Sequence, residues 1–450
     1  MNNGKMLKRM TLFTLTWPIF IELFLHMLMG NADTLMLSQF SDDSVAAVGV
    51  ANQILNLLIV MFGFIATGSS IIVAQHLGAK QRGTAAEVSV ISIMSNLIIG
   101  LLLSLGIWVF SEPLLQMMDL PEKLMPQASI YLRIVGGFSF IQGLIMTIGA
   151  VLRSYSFTRD TMYVTIGMNL LNIIGNYLVI FGPFGFPVLG VEGVALSTTF
   201  SRIIGLIIIT LLLFKRINEK LPFASFYRIP KVHLKNLLKI GIPSAGEHLS
   251  YNASQMVITY FITWIGTEAL ATKVYTQNIM MFIFLFSMAI SQGTQIIIGY
   301  LVGEGKLDET YNRCLKSLKI AITISALMAV LFSFCSEALF SIFTSNKNII
   351  STGTTLIFLT ILLEPGRAFN LVIINSLRAA GDVKFPVYMG ILSMRGVSVT
   401  ISYFLGVVLD FGLAGIWISF IVDEWLRGLL MLGRWRSRIW EKKAFLPQTA

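Results

Sequence analysis

The sequence predicts an all-α protein that crosses a membrane many times. Of its 450 residues, 55% are hydrophobic and only 12% are charged, whereas a soluble chain is typically about one quarter charged. Apolar runs of about 20 residues, the length that a helix needs to cross a bilayer, recur along the whole chain. The two cysteines, Cys314 and Cys335, are too few for a disulfide framework.

Twelve apolar segments are long enough to be membrane-spanning helices. They cover approximately residues 10–38, 45–76, 88–110, 128–151, 161–183, 190–214, 235–264, 269–301, 316–342, 349–376, 385–408 and 412–433. Several exceed the ~20 residues that a crossing needs, so these helices should tilt or protrude from the bilayer.

Basic residues mark one side of the membrane. They cluster before span 1, after every even-numbered span and at the chain end, while the alternate segments hold almost none. Basic residues are enriched in cytoplasmic loops, so both termini are predicted to be cytoplasmic in a multi-pass cell-membrane protein. The net charge of +10 therefore reflects topology and not nucleic-acid binding, and WRSRIWEKK near the end is interpreted as an interfacial anchor.

The chain contains an internal repeat with an offset of 225 residues. WPIFIELF (17–24) aligns with IPSAGEHL (242–249), which pairs Pro18 with Pro243 and Glu22 with Glu247. The repeat predicts two pseudo-symmetric six-helix lobes, related by an axis along the membrane normal. We assign them to residues 1–214 and 235–450, with a basic cytoplasmic linker at 215–234 and a basic C-terminal tail.

Paired repeats are typical of transporters that bind cargo between two halves and rock one half against the other. A scaffold or a channel is the alternative. The sequence has no GxxxxGK[ST] motif, so ATP is not predicted to drive transport directly. Because no catalytic constellation appears, we predict a secondary transporter and not an enzyme, functioning as a monomer in the lipid bilayer.

Ordered motifs along the whole chain resemble those of the MATE (multidrug and toxic compound extrusion) family, in particular its prokaryotic NorM- and DinF-like members. They are Pro18 followed by NADTLMLSQFSDDSVAAVGVANQ (31–53), GAKQRG (78–83), NIIGNYLVIFG (172–182), GVEGVALST (190–198) and LRAAGDVKFP (377–386). The resemblance implies export of amphipathic, often cationic, organic compounds driven by H⁺ or Na⁺, without a cofactor.

The chain departs from this family pattern at several acidic positions. Where some members carry a second aspartate in span 5, this chain has Asn176. Members with a cation site in the C-terminal lobe have a span-7 glutamate at the position of Tyr251, and here Glu247 lies one turn earlier. In span 10, Arg367 fills the matching acidic position and Glu364 lies one turn before it.

Asp33 is the principal candidate for the cation and substrate site. His26 is its only basic neighbour within two helical turns in span 1. Burial disfavours the charged form of a carboxylate, so Asp33 can take up either a proton or an organic cation, each excluding the other. The alternative is a structural acid that is hydrogen-bonded to Asn31, Thr34 or Asn172.

Glu22 and Glu247 each follow a proline by four residues, and proline frees a backbone carbonyl and kinks a helix. We therefore predict hinges at Pro18 and Pro243, with the two glutamates as proton or ion sites or as capped polar groups. Glu364 and Arg367 have the spacing of an intrahelical pair, and Na⁺ binding at Glu247 and Glu364 is the alternative. No other metal site is predicted.

Polar residues at matching positions of spans 2 and 8 complete the candidate site. Gln53 and Asn278, together with their neighbours Asn52 and Gln277, suit hydrogen bonds to cargo or water. They serve equally well as contacts between helices. The rival to the exporter is a lipid-linked glycan flippase of a related two-lobe class, which would be expected to have further spans and a cationic cavity.

Overall fold

The computed structural model describes residues 11–118, 120–228 and 230–445, without the side chains of Asn31, Phe184 and Ser225, and the regular structure in these ranges is entirely helical. The first half forms α1 (Leu12–Ser38), α2 (Asp42–Gly78), α3 (Arg82–Gln116), α4 (Met125–Gly136), α5 (Ser139–Ser154), α6 (Thr158–Phe181) and α7 (Gly190–Arg216). The second half forms α8 (Lys231–Ile265), α9 (Thr267–Gly303), α10 (Leu307–Phe334), α11 (Ser336–Phe343), α12 (Lys347–Ala379), α13 (Lys384–Val408) and α14 (Gly412–Arg436).

Each of the twelve predicted spans coincides with a helix or a broken helix. Span 4 consists of α4 and α5, which are bent by 40° relative to each other, and span 9 consists of α10 followed by the short α11. Within the described residues, nine helices are long and apolar enough to cross a membrane, or ten with the bent pair. The helices α8 and α14 are not among them, and α14 carries three charged residues near its middle.

The chain divides into two compact units. Among the described residues, unit 1 comprises 21–73 and 81–241, and unit 2 comprises 11–20, 74–80 and 242–445. Three helices therefore pass from one unit to the other: α1 between Phe20 and Ile21, α2 between Val73 and Ala74, and α8 between Gly241 and Ile242. The lobe boundaries predicted from the repeat stay a prediction. The two units are defined by how the chain packs, whereas the lobes were defined by the repeat in the sequence, so the units do not test the lobes.

The core of unit 1 combines apolar packing with a few satisfied polar groups. Leu37, Phe62 and Val194 are almost fully buried in one cluster. Asn96 of α3 donates hydrogen bonds to the Gly143 carbonyl oxygen at 3.0 Å and to the Thr147 hydroxyl at 2.6 Å. These bonds tie α3 to α5 and offset the cost of burying the NH2 group of the amide.

Unit 2 contains a crossing of two helices whose contacts are reciprocal. A Cβ atom at Gly78 of α2 would overlap the carbonyl oxygen of Tyr300 in α9, and one at Gly303 would overlap that of Gln75. Gly78 and Gly303, like Gln75 and Tyr300, are 225 residues apart. The repeat thus supplies glycine at both positions where backbones meet most closely.

The C-terminal tail packs into unit 2, and the interpretation of WRSRIWEKK as an interfacial anchor was wrong for its two tryptophans. Trp435 and Trp440 are fully buried, with their ring centroids 4.3 Å apart. Asp382 holds Arg434 at 2.7 Å and Lys443 at 2.8 Å, and the Gln75 amide donates to the Ala379 carbonyl oxygen at 2.7 Å. The tail is therefore part of the core of this unit.

Candidate functional site

Asp33 is buried in unit 1 and is held by an amide from another helix. The side chain of Asp33, in α1, is 5% exposed, and the Asn176 amide of α6 donates a hydrogen bond to its Oδ1 at 2.6 Å. Asn176 also lies 3.4 Å from Oδ1 of Asn172, whose own amide donates to the Thr198 hydroxyl of α7 at 3.0 Å. A polar chain thus connects α1, α6 and α7.

Close packing of α6 against α7 positions this chain. A Cβ atom at Gly175 would overlap the Ser197 hydroxyl, and one at Gly205 would overlap the Met168 sulfur. The Ser197 hydroxyl donates to the backbone oxygen of Asn172 at 3.2 Å. Glycine at the two contact points lets α6 and α7 approach closely enough for their amide and hydroxyl side chains to bond.

The sequence predicted three neighbours for Asp33 as a structural acid. The side chain of Asn31 lies outside the described residues. The Thr34 hydroxyl donates to the Gly30 carbonyl oxygen at 2.9 Å within its own helix. Asn172 belongs to the polar chain, and the hydrogen bond at 2.6 Å to the carboxylate comes from Asn176, which the sequence singled out by its position in span 5.

Arg202 and Tyr131 also lie in the surroundings of Asp33. Neither residue was among the site residues predicted from the sequence. Arg202 lies one turn after Thr198 in α7, and its charge acts on both Asp33 and Tyr131. The Tyr131 hydroxyl is 3.4 Å from Oδ1 of Asn52. Asp33 therefore has a basic neighbour from another helix, and an arginine inside an apolar span was the signal that could have revealed it.

Glu22 is ion-paired in unit 1. Nη1 of Arg153, at the end of α5, lies 2.7 Å from its Oε1, and the Thr161 hydroxyl of α6 donates to its Oε2 at 3.1 Å. The side chains of Glu22 and Arg153 are 14% and 16% exposed. Both carboxylate oxygens of Glu22 thus have partners, as expected if Glu22 is a capped polar group.

Glu247 forms the corresponding pair in unit 2. Its Oε2 pairs with Nη2 of Arg378, at the end of α12, and Arg153 and Arg378 are 225 residues apart, as are Glu22 and Glu247. A Cβ atom at Gly390 of α13 would lie 3.2 Å from the Glu247 carboxylate. The repeat therefore preserves a glutamate after a proline together with the arginine that neutralises it.

Glu364 is the beginning of a chain of alternating charges in unit 2. It is completely buried and pairs with Arg367 at 2.9 Å, so these two residues form the predicted intrahelical pair. Arg367 lies 3.9 Å from Glu424, and Arg427 contacts both Glu424 at 2.8 Å and Asp423 at 2.9 Å.

The α14 members of this charged chain were missed from the sequence. Asp423 accepts a hydrogen bond from Ser393 at 2.5 Å, and Glu424 accepts one from Asn370 at 2.9 Å. Tyr251, a predicted site residue, lines a small cavity beside this chain. The letters DEWLR within the last apolar segment were the available signal.

The remaining two predicted site residues, Gln53 and Asn278, form no side-chain hydrogen bond or ion pair within the described part of the chain. Gln53 and Asn278 are both exposed, and in α2 it is Asn52 that faces Tyr131. No group of three or more histidine, cysteine, aspartate or glutamate side chains suited to a metal ion occurs in the described part of the chain. The buried acids instead have amide or arginine neighbours.

An internal repeat of membrane helices and buried, partnered acids in the interior are typical of membrane transporters. The profile of the MatE family matches residues 18–178 and 243–404, once in each half of the repeat. The chain is a member of the MatE family. This is a family of membrane transporters and not of enzymes, so the predictions of a transporter and of a multi-pass membrane protein are confirmed.

Several known proteins are similar over nearly the whole length. "Uncharacterized transporter YisQ" of Bacillus subtilis (strain 168) is 59% identical, covering 97% of this chain and 96% of its own. "Probable multidrug resistance protein NorM" of Thermotoga maritima is 27% identical, covering 98% and 95%.

Solved structures share the fold. "Crystal structure of MATE in complex with MaD3S" matches with a TM-score of 0.87 and 21% identity over 95% of both chains. "Outward-facing conformation of a multidrug resistance MATE family transporter of the MOP superfamily" matches with a TM-score of 0.87 and 20% identity over 95% of both. The predicted fold class, an all-α membrane protein with twelve transmembrane helices in two lobes, is confirmed.

Proposed function

We propose that the protein is an antiporter that exports amphipathic organic compounds in exchange for H⁺ or Na⁺. The observation that carries the proposal is Asp33, a buried carboxylate inside a membrane helix with Asn176 as its hydrogen-bond donor. Buried acids inside membrane helices are costly and typically mark ion or substrate pathways. The names of the NorM relatives support multidrug export.

Exchange follows from competition for one negative charge. A proton, a sodium ion and an organic cation each neutralise Asp33, so each excludes the others. Asn176 can donate to Asp33 in its charged form and keeps the carboxylate oriented when no cation is bound. Cargo can then leave only when the coupling ion replaces it, which is the minimum that antiport requires.

Alternating access would use hinges at Pro18 and Pro243, the two prolines inside α1 and α8. The boundaries between the two compact units in α1 and α8 lie within three residues of these prolines, at Phe20–Ile21 and Gly241–Ile242. Proline removes a backbone hydrogen bond and so lowers the stiffness of a helix at that point. This coincidence supports the assignment of both prolines as hinges.

The C-terminal acids have a different role in this proposal. Glu247 and Glu364 already have arginine partners, Arg378 and Arg367, so a sodium ion would have to compete with a guanidinium at each position. We therefore propose that Asp33 carries the coupling ion and that these pairs maintain the charged interior of unit 2. Sodium binding at Glu247 and Glu364 stays a prediction.

The driving force depends on the charge of the cargo. A difference of one pH unit supplies about 1.4 kcal/mol per proton, and the membrane potential about 2.3 kcal/mol per charge per 100 mV. One proton exchanged for one monovalent cation moves no net charge, so only the pH difference contributes. A neutral cargo would add the electrical contribution.

The test is dye export by the purified protein in liposomes, with a pH gradient and a Na⁺ gradient imposed separately. Asp33→Asn should abolish gradient-driven export of an ethidium-type dye while the protein stays monodisperse in detergent. Asp160→Asn is the matched control, because Asp160 pairs with Arg216 at 2.6 Å near the ends of α6 and α7. Export by Asp33→Asn at the rate of the unsubstituted protein would contradict the proposal.

Glycan flipping receives less support. The rival class would be expected to have further spans, and the described helices correspond to the twelve predicted spans without adding one.

A further inference from the structure

Arg202 lacks the ion pair that four other arginines of the helical interior have. Arg153, Arg367, Arg378 and Arg427 each lie within ion-pair distance of a glutamate or aspartate. In the part of the chain that the structure describes, Arg202 is within that distance of no carboxylate, and its buried Nε atom has no hydrogen-bond partner. A charged arginine inside a membrane helix is costly, so one kept without a partner points to a ligand.

The position of Arg202 connects it with the proposed cargo site. Thr198, one turn earlier on the same face of α7, accepts the hydrogen bond from Asn172 in the polar chain that reaches Asp33. The charges of Arg202 and Asp33 act on each other, yet the two side chains form no ion pair. The site therefore offers one negative group, Asp33, and one positive group, Arg202, which lie farther apart than an ion pair.

We propose that Arg202 receives an anionic group of the cargo, so that the preferred cargo is a zwitterionic amphipath with an amine for Asp33 and a carboxylate for Arg202. This inference rests on the proposed export function. A guanidinium binds a carboxylate through charge-assisted, often bidentate, hydrogen bonds. With a zwitterion bound, the sum of charges is zero, whereas a monovalent cation would leave the charge of Arg202 uncompensated.

The charge of the cargo also determines how export is driven. The amine of the zwitterion and the proton compete for Asp33, so one proton enters for each net-neutral molecule that leaves. One positive charge then crosses the membrane in each cycle. A potential of 100 mV would support about a fiftyfold concentration ratio in addition to that supported by the pH difference.

The test compares two dyes that differ only at the group that Arg202 would bind. A rhodamine free acid is zwitterionic, and its methyl ester is a cation with the same chromophore. We expect the purified protein to bind the free acid at least tenfold more tightly, as measured by fluorescence anisotropy. A preference for the ester would overturn the proposal, and this measurement needs no variant.

Three variants identify the residue responsible. Arg202→Gln should remove or invert the preference for the free acid, and Arg202→Lys should retain part of it because the charge remains. Arg313→Gln is the matched control, since Arg313 of α10 also has a buried Nε without a hydrogen-bond partner. An unchanged ratio of the two affinities in Arg202→Gln would overturn the assignment.

Transport in liposomes separates this inference from the export function itself. A K⁺ diffusion potential should accelerate exchange of the free acid and leave that of the ester unchanged. Insensitivity of both dyes to the potential, with pH-driven export intact, would overturn the cargo assignment alone. Unchanged pH-driven export by Asp33→Asn would instead overturn the export mechanism.

Discussion

At the scale of single residues, the interior of this transporter is organised around paired charges. Glu22, Glu247 and Glu364 each have an arginine close by, and Asp33 has an amide donor. Breaking a buried pair by removing one partner is strongly destabilising, because the other charge stays buried and uncompensated. The paired acids and Asp33 should therefore respond differently to substitution.

Asn176→Leu tests the support that Asp33 receives. A hydrogen bond to a charged group contributes about 1.5–3 kcal/mol, so its loss should weaken binding of a cationic dye roughly tenfold or more. Equilibrium dye binding to the purified protein measures the effect. Asn169→Leu is the control, because Asn169, in the described structure, donates to the Thr165 carbonyl oxygen of its own helix at 2.8 Å and not to a carboxylate. Equal affinities for the two variants would contradict the role of Asn176.

The Glu247–Arg378 pair allows a double-substitution test. Glu247→Gln or Arg378→Gln alone should lower the free energy of unfolding by about 3–5 kcal/mol, because each leaves a buried charge unpaired. The double variant should lose less than the sum of the two single effects. The midpoint of thermal unfolding in detergent reports the difference, and simple additivity would argue against a coupled pair.

At the scale of helices, proline and glycine occupy repeat-related positions in α1, α2, α8 and α9. Pro18 and Pro243 lie near the points where their helices pass between the two compact units. Gly78 and Gly303 provide the closest approach of α2 to α9. The two prolines are the proposed hinges, and the two glycines are points of close contact.

Pro18→Ala should slow transport without unfolding the protein. Alanine restores the missing backbone donor and stiffens α1, so a bending step should become slower while cargo affinity stays within about twofold. Initial rates of dye export in liposomes, alongside equilibrium binding, separate the two effects. Pro243→Ala should behave alike, and Pro113→Ala, in α3, serves as a control for proline removal. Full transport rates in both hinge variants would contradict the hinge assignment.

At the scale of the whole molecule, the distribution of basic residues predicts one orientation in the membrane. The six basic residues of the linker region and its flanks are Lys215, Arg216, Lys220, Arg228, Lys231 and Lys235. The connection between α1 and α2, in contrast, has no basic residue, and α2 begins with Asp42 and Asp43. Because cytoplasmic loops are enriched in lysine and arginine, the linker should face the cytoplasm and the connection between α1 and α2 the outside.

Cysteine labelling tests this orientation. In a background with Cys314→Ser and Cys335→Ser, Asp43→Cys should react with a membrane-impermeant maleimide in intact cells. Lys220→Cys should react only after the cells are permeabilised. The opposite pattern would reverse the predicted topology and place both termini outside.

The helices and the repeat could be predicted from the sequence because their signals can be read from the order of residues alone. The length and hydropathy of a segment decide whether it can cross a bilayer, and Gly78 and Gly303 recur at a constant offset that is visible in the printed chain. Asp33 was also visible, since a carboxylate within an apolar run stands out without any knowledge of its neighbours. These properties depend on the chain alone and not on how it packs.

Only the tertiary structure decided which groups meet the acids. Asn176 is 143 residues from Asp33, and Arg153 and Arg378 are each 131 residues from their glutamates. Arg202 and the charged residues of α14 likewise reach their sites from distant helices. Helix packing brings such groups together, and the hydropathy that places a helix in the membrane is an average over many residues. The hydropathy of a segment therefore carries no information about which side chain on one helix faces which side chain on another.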